Sequence, residues 1–210
     1  SMTGLGMKAA NVILTVSGGQ PAMTLVIAAV VTIILGLGMP TPSAYILAAV
    51  LVGPALAKLG YPILQSHMFL LYYAIMSALT PPIAVAALAA AAIADEDPFK
   101  IAFSAVRLAA IGFLMPFAFI WNPGLLLLGD TMTNSVALLG GVLATAAVAI
   151  SIEGTVGIAL RPVVRFVLVL AAIAAVLPII PVALASIAFI LLISVRYAML
   201  LRRRAAPNTA

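Results

Sequence analysis

The chain has 210 residues, of which 66% are hydrophobic and only 7% are charged. A water-soluble domain usually carries about 25% charged residues, because its surface faces water. This composition excludes an ordinary soluble domain. The net charge of +5 does not indicate nucleic acid, since the basic residues lie mostly at the ends of apolar segments, where membrane topology accounts for them.

Three apolar runs are long enough to cross a bilayer as helices: 20–39, 67–94 and 166–195, all without Asp, Glu, Lys or Arg. A bilayer core of roughly 30 Å needs about 20 apolar residues in a helix, whereas a membrane β-barrel shows alternating segments of about 10 residues. The continuous Ala, Leu, Ile and Val therefore predict an all-α, polytopic membrane protein.

The first element, residues 3–19, is mildly amphipathic and ends in Ser17-Gly18-Gly19. This pattern predicts an interfacial helix followed by a turn, and we assign residues 1–20 to an interfacial arm segment. The frayed end of a longer helix explains the pattern equally well. Ser1-Met2 is consistent with a tag remnant or a fragment boundary.

Residues 21–57 predict a hairpin of two apolar helices. The first, 21–38, ends in a break rich in glycine, proline and hydroxyl groups, Gly36-Leu37-Gly38-Met39-Pro40-Thr41-Pro42-Ser43. Proline lacks the N–H that a helix needs, so the break is strong. A shorter helix, about 44–56, follows it.

Residues 67–94 predict a discontinuous helix, which is interrupted at Ser77-Ala78-Leu79-Thr80-Pro81-Pro82. A polar loop follows. In it Asp97 is the expected N-cap of the next helix, about 99–121, with Pro98 at the first helical position.

Residues 122–210 predict a C-terminal extension of about three transmembrane helices. Asn122-Pro123-Gly124 forms a turn, and one span covers about 131–150. The last apolar stretch, 166–201, is too long for one span, and Pro178-Ile179-Ile180-Pro181 divides it into two helices.

Basic residues predict the orientation, because they concentrate on the cytoplasmic side. With the terminal arginines in the cytoplasm, counting spans backwards places the other basic clusters on the same side, and the C-terminus is predicted to be cytoplasmic. These residues are Lys100, Arg107, Arg161, Arg165 and Arg202 to Arg204. The count treats 122–150 as one span, and a different span count stays open.

The two breaks carry the functional hypothesis. A helix break inside a bilayer frees backbone N–H and C=O groups that lipid cannot satisfy. In secondary transporters, half-helix N-termini face anionic substrate groups and unwound carbonyls bind Na⁺. Both breaks join proline to Ser or Thr, which supply the hard oxygen ligands that suit Na⁺. The alternative is a simple helix kink, which is common in membrane helices.

The candidate site residues follow from these breaks. Hydroxyls are the candidates for substrate binding: Thr41, Ser43 and Thr80. The Na⁺ candidates are Gly36, Gly38, Thr41, Ser77 and Thr80. Four prolines are expected to shape the breaks: Pro40, Pro42, Pro81 and Pro82. A hydroxyl bonded back to its own helix, or a glycine used for helix packing, is the alternative for each.

No Asp or Glu lies near either break, which favours Na⁺ over H⁺ coupling unless another part of the permease supplies the acid. With one His, no Cys and no paired carboxylates inside the apolar segments, an enzyme is not expected. A non-transporting structural membrane fragment is the remaining alternative.

The stretch from Leu35-Gly36-Leu37-Gly38-Met39-Pro40-Thr41 to Ser77-Ala78-Leu79-Thr80-Pro81-Pro82 resembles the large membrane subunit of TRAP (tripartite ATP-independent periplasmic) transporters. It is most similar to fused permeases, in which small and large subunits form one chain that pairs with a TAXI-type binding protein. Further similar positions are Thr3-Gly4-Leu5-Gly6, Ser17-Gly18-Gly19, Asp97-Pro98, Phe119-Ile120-Trp121-Asn122-Pro123 and Arg161-Pro162.

The resemblance implies a Na⁺-driven elevator transporter of the bacterial inner membrane. A periplasmic TAXI-type binding protein would deliver an organic acid to it, such as a C4-dicarboxylate or glutamate. Such permeases hold two inverted repeats, each with a re-entrant hairpin and a discontinuous helix, and residues 21–121 resemble the second repeat. Na⁺ is then the coupling ion, with no organic cofactor. We expect the chain to need the N-terminal permease part and to be inactive alone.

Overall fold

The computed structural model describes residues 4–155 and 159–205. These residues form α-helices joined by short loops, with a single isolated β-bridge between Thr155 and Ala159. The all-α fold is therefore confirmed. The chain divides into two compact units, the first ending at Ile120 and the second beginning at Trp121. The assignment of a transport repeat and a C-terminal extension to these parts of the chain stays a prediction.

The described residues of the first unit, from residue 4 onward, form eight helices, the last of which ends at Trp121, one residue beyond the unit. They are α1 (Leu5–Val16), α2 (Pro21–Gly36), α3 (Thr41–Leu51), α4 (Gly53–Lys58), α5 (Ile63–Ser77), α6 (Val85–Ala94), α7 (Pro98–Leu108) and α8 (Ala110–Trp121). In this unit α2 packs against α3, and both pack against α5. Helices α2 and α3, which are the two arms of the predicted hairpin, thus pack together with α5, which is the first half of the predicted broken helix.

Small residues make this packing close. Ala28 of α2 and Ala48 of α3 are fully buried, beside the larger Leu25 and Phe69. On α1, Gly6 lies so close to the backbone carbonyl of Val50 that a Cβ on Gly6 would clash with it. Close approach of backbones at small residues is how helices associate in membranes. The arm segment is therefore a helix packed on α3 and α4, and its interfacial position stays a prediction.

Two predicted helices are each divided. The second hairpin arm is split at Val52 into α3 and α4, with Pro54 in the first turn of α4. The helix predicted over 99–121 is split into α7 and α8 at Ala109, where the Gly112 N–H donates to the Ala109 carbonyl at 2.8 Å. This tighter, three-residue turn interrupts the regular pattern of four-residue hydrogen bonds.

The second unit contains a short 3-10 helix (Pro123–Leu126), α9 (Thr131–Glu153), α10 (Pro162–Ala175) and α11 (Ile180–Ala205). Helix α9 packs against both α10 and α11. The predicted break at Pro178 to Pro181 is confirmed, because α10 ends at Ala175 and α11 begins at Ile180.

Three helical stretches in the described residues are long and apolar enough to cross a membrane. They are Pro98–Trp121, Thr131–Glu153 and Ile180–Tyr197. Several helical segments of this kind confirm a polytopic membrane protein. That the hairpin is re-entrant stays a prediction.

Candidate substrate and cation site

The first break joins α2 to α3. Gly38, in the loop between them, has φ +76°, a left-handed conformation that glycine adopts without steric cost. The Met39 N–H donates to the Gly36 carbonyl at 3.1 Å. Within the described part of the chain, no backbone N–H donates to the carbonyl oxygens of Leu37, Gly38 or Met39. The tip thus presents several backbone oxygens that the chain itself does not use.

The second break joins α5 to α6. The Ala86 N–H donates across it to the Ala78 carbonyl at 3.1 Å, which closes the loop. Inside the loop, the Thr80 N–H donates to the Ser77 carbonyl at 3.3 Å, and the Pro81–Pro82 peptide bond is cis. The helix is therefore fully interrupted at the predicted position.

The two breaks are neighbours in space. A Cβ built on Gly36 would lie 2.8 Å from the Ser77 Cβ, closer still to the Ser77 Oγ, and 3.2 Å from the Ala44 Cβ. Two residues further along the chain, a Cβ on Gly38 would lie 3.4 Å from the Ile83 side chain. The end of α2 therefore lies directly against the end of α5, and the first loop lies against the second.

The hydroxyls of the second break are bonded back to their own helix. Ser77 Oγ donates to the Ala74 carbonyl and Thr80 Oγ1 donates to the Met76 carbonyl, each at 2.7 Å. Ser77 is 1% exposed, whereas Thr80 is half-buried. A hydroxyl that has donated its proton keeps two lone pairs, so both oxygens remain able to accept a hydrogen bond or bind a cation.

The hydroxyls of the first break lie on α3. The sequence predicted a break that extends to Ser43 and a helix from about residue 44, but the loop ends at Pro40, and Thr41, Pro42 and Ser43 form the first turn of α3. The physical reason is that proline fits the first helical turn, where its missing N–H has no helical partner anyway. Neither the Thr41 nor the Ser43 hydroxyl makes a hydrogen bond within the described chain.

Both half-helices begin without a side-chain cap. The N-cap of α3 is Pro40, and the N-cap of α6 is Ala84, which has φ 41°. The first N–H groups of a helix have no helical acceptor, and the N-terminal end carries partial positive charge. At α3, the free N–H groups and the Thr41 and Ser43 hydroxyls are therefore available to an anionic group.

The comparisons with known proteins give one match. The family model described as "Tripartite ATP-independent periplasmic transporter, DctM component" matches residues 1–133, which is more than half of the chain and includes both breaks. Neither a curated protein nor a solved structure matches the chain.

The chain belongs to the DctM family.

Membership makes the DctM chain a permease component of a TRAP transporter and not an enzyme. Together with the apolar helices, it indicates a multi-pass protein of the inner membrane. The family also implies partnership with a periplasmic binding protein and a small membrane subunit, besides the surrounding lipid.

In the DctM chain, two buried hydroxyls were not anticipated from the sequence. Thr32 on α2 is fully buried, Ser66 on α5 is 6% exposed, and the hydroxyl oxygen of each lacks a hydrogen-bond partner among the described residues. Thr32 lies four residues before Gly36 and hence on the same face of α2. That spacing is the one sequence signal that connects Thr32 to the break.

Proposed function

We propose that this DctM chain is part of a Na⁺-coupled permease that receives an organic acid from a TAXI-type binding protein. The observation that carries the proposal is the direct contact between two interrupted helical elements, each with hydroxyls and an uncapped half-helix. In this proposal the two breaks together form part of the substrate and cation site.

The cation side of the site is assigned to the oxygens around the Gly36–Ser77 contact. The carbonyls of Leu37, Gly38 and Met39 in the first loop have no backbone donor in the described chain. The Ser77 and Thr80 hydroxyl oxygens keep free lone pairs, and Thr41 adds a further hydroxyl. A set of neutral oxygens suits a hard monovalent cation such as Na⁺ better than a proton, which requires a titratable group.

The anionic side is assigned to the first turn of α3. The N–H groups of Thr41 and Ser43 precede the first intrahelical bond, in which the Ala44 N–H donates to the Pro40 carbonyl at 3.1 Å. A carboxylate at this position gains hydrogen bonds and a favourable interaction with the helix dipole. C4-dicarboxylates, glutamate and similar acids fit this chemistry.

We also propose how these helices lie in the membrane. α2 and α3 form a re-entrant hairpin, α5 and α6 form one discontinuous membrane helix, and the site moves as an elevator. The C-terminus lies in the cytoplasm, as the basic residues Arg161 and Arg165 before α10 and within its first turn favour. Transport requires the rest of the permease, which supplies the other half of the site.

The test is uptake into proteoliposomes by the complete permease with its small subunit and binding protein. Labelled C4-dicarboxylates and glutamate are screened with an inward Na⁺ gradient and, as the reference, an equal K⁺ gradient. Na⁺-driven uptake of an organic acid is expected. Equal uptake with either ion contradicts the proposed coupling.

Site variants then locate the cation. Thr80→Val, which removes the hydroxyl, is expected to raise the Na⁺ concentration for half-maximal uptake about tenfold, equivalent to about 1.4 kcal/mol. Thr80→Ser keeps the hydroxyl and is expected to stay close to wild type. Thr145→Val is the matched control, because Thr145 makes the same bond back to its own helix, to the Gly141 carbonyl at 2.8 Å, within the unbroken α9. If Thr80→Val and Thr145→Val behave alike, Thr80 does not bind the cation.

A further inference from the structure

We infer that Gly36 is a positioning residue, which sets the spacing between the two breaks through its contact with Ser77. This inference rests on the proposed Na⁺ site and assigns Gly36 a different part in it. The Gly36 carbonyl accepts the Met39 N–H, and the role inferred for Gly36 depends on its missing side chain, whether or not this oxygen also binds the cation.

The contact is tight on two sides. Gly36 is buried between the end of α5 and the first turn of α3, facing the Ser77 side chain and the Ala44 Cβ. Any Cβ at position 36 would overlap Ser77 and press on Ala44. Close-packed interiors transmit such an overlap as displacement of whole elements, because they contain little free volume.

The displacement would reach the hydroxyls of both breaks. Ser77 is the last residue of α5, and its carbonyl accepts the Thr80 N–H at 3.3 Å, so a shift of Ser77 moves Thr80. Ala44 follows Thr41 within the first turn of α3, so pressure on Ala44 moves Thr41. An added methyl group at position 36 is therefore expected to change the positions of Thr80 and Thr41 relative to each other without removing any oxygen from the site.

Gly36→Ala is predicted to raise the Na⁺ concentration for half-maximal uptake about tenfold, with a smaller change in the maximal rate. Gly53→Ala is the matched control, since a Cβ on Gly53 would meet only the Leu70 side chain at an ordinary 3.8 Å. Gly53→Ala is expected to behave as wild type in the complete permease.

Combining Gly36→Ala with variants of Ser77 distinguishes a positioning role of Gly36 from a general loss of folding. Ser77→Gly removes both atoms that a Cβ at position 36 would strike, whereas Ser77→Ala removes only the hydroxyl oxygen and leaves the Cβ at 2.8 Å. Each double variant is compared with its own Ser77 single variant. In the Ser77→Gly background, adding Gly36→Ala is expected to change the Na⁺ concentration for half-maximal uptake by less than about twofold. In the Ser77→Ala background, the expected change lies between this value and the roughly tenfold change in the wild-type background.

The outcomes are distinct. If wild-type uptake depends on Na⁺ and Gly36→Ala matches Gly53→Ala, the positioning role is wrong while the proposed function stands. If wild-type uptake is independent of Na⁺, the proposed function fails and the positioning role fails with it. If Gly36→Ala alone does not fold, the Gly36→Ala, Ser77→Gly double variant decides. The contact is supported if this double variant folds and its Na⁺ dependence is close to that of Ser77→Gly alone. The contact is overturned if the double variant does not fold.

Discussion

The Tyr45 hydroxyl lies 2.7 Å from Nδ1 of His67, and the two rings meet edge-on with their centroids 5.9 Å apart. Tyr45 belongs to α3 and His67 to α5, so this pair joins the second hairpin arm to the first half of the broken helix. Both side chains are half-buried, which shields their hydrogen bond from competition with solvent. The pair is a second connection between these elements, separate from the Gly36–Ser77 contact.

Tyr45→Phe is expected to lower the free energy of unfolding by about 1 kcal/mol, because it removes the hydrogen bond and keeps the ring contact. The measurement is unfolding of the purified protein in detergent micelles. Tyr72→Phe is the control. The Tyr72 ring also meets a neighbour edge-on, Phe119 at 5.0 Å, but its hydroxyl makes no hydrogen bond in the described chain. Equal losses of unfolding free energy for the two variants would show that the Tyr45–His67 hydrogen bond does not stabilise the protein.

Thr32→Val is expected to raise the free energy of unfolding by about 1 kcal/mol, because a buried hydroxyl without a partner is a cost of about 1–3 kcal/mol. Thr24 on the same helix is equally buried, but its hydroxyl lies 2.7 Å from Ser17 Oγ and 2.9 Å from the Gln20 carbonyl. Thr24→Val is therefore expected to destabilise the protein. Unfolding in detergent compares the two, and destabilisation by both would mean that Thr32 has a partner after all.

Local chemistry made the positions of the breaks predictable. Proline lacks an N–H group and disfavours the interior of a helix, so the interruptions near Pro40, Pro81 and Pro178 could be inferred from the sequence, although Pro116 is accommodated inside α8. Asp97 likewise caps α7 as predicted, its carboxylate accepting the Phe99 N–H at 2.7 Å and the Lys100 N–H at 3.3 Å. Such features depend on a few neighbouring residues.

Features that depend on packing were not predictable. The start of α3 at Thr41 was missed, because Pro42 is compatible with either a loop or a first helical turn. The Gly36–Ser77 contact joins residues far apart in the chain, and sequence alone left Gly36 open as a ligand or a packing residue. The isolated hydroxyl of Thr32 is also a property of the folded interior, since a helical threonine normally finds a carbonyl in its own helix.

Asp130 gives a pH-dependent prediction. It is the N-cap of α9, and hydrogen bonds, first from the Thr133 hydroxyl and then from the Thr133 and Met132 N–H groups, hold the pKa of its carboxyl below the ordinary value of 3.8. A carboxyl whose pKa is lower in the folded state stabilises the protein above its unfolded pKa and loses that contribution as the pH falls through the folded value. Stability should therefore fall below about pH 3.8.

The measurement is unfolding in detergent as a function of pH. Thr133→Val removes the largest cause of the shift and is expected to reduce this acid-dependent loss, and Asp130→Asn is expected to abolish it while keeping a capping side chain. Thr131→Val is the control, since the Thr131 hydroxyl makes no hydrogen bond in the described chain. An unchanged acid profile in Asp130→Asn would assign the loss to other groups.

Arg165 closes the C-terminal end of α9. Its Nε donates to the Ser151 carbonyl at 2.6 Å and its Nη2 to the Ile152 carbonyl at 3.1 Å, while Ser151 Oγ donates to the Arg165 carbonyl at 2.8 Å. The last carbonyls of a helix have no helical donor and carry partial negative charge, so a cation at this position is doubly favourable. Adjacent Gly154 has φ +73°, and a Cβ there would lie 2.9 Å from the Arg165 guanidinium.

Arg165→Ala is therefore expected to lower the free energy of unfolding by about 2–3 kcal/mol, the range for hydrogen bonds from a charged donor to partly buried carbonyls. Arg165→Lys is expected to recover only part of this, because an ammonium group cannot reproduce the planar fork that reaches two carbonyls at once. Arg161→Ala is the control, because Arg161 is exposed at the N-cap of α10 and makes no side-chain hydrogen bond in the described chain. Unfolding in detergent measures all three, and a loss in Arg161→Ala as large as that in Arg165→Ala would indicate a general effect of positive charge near α10 instead of a specific cap on α9.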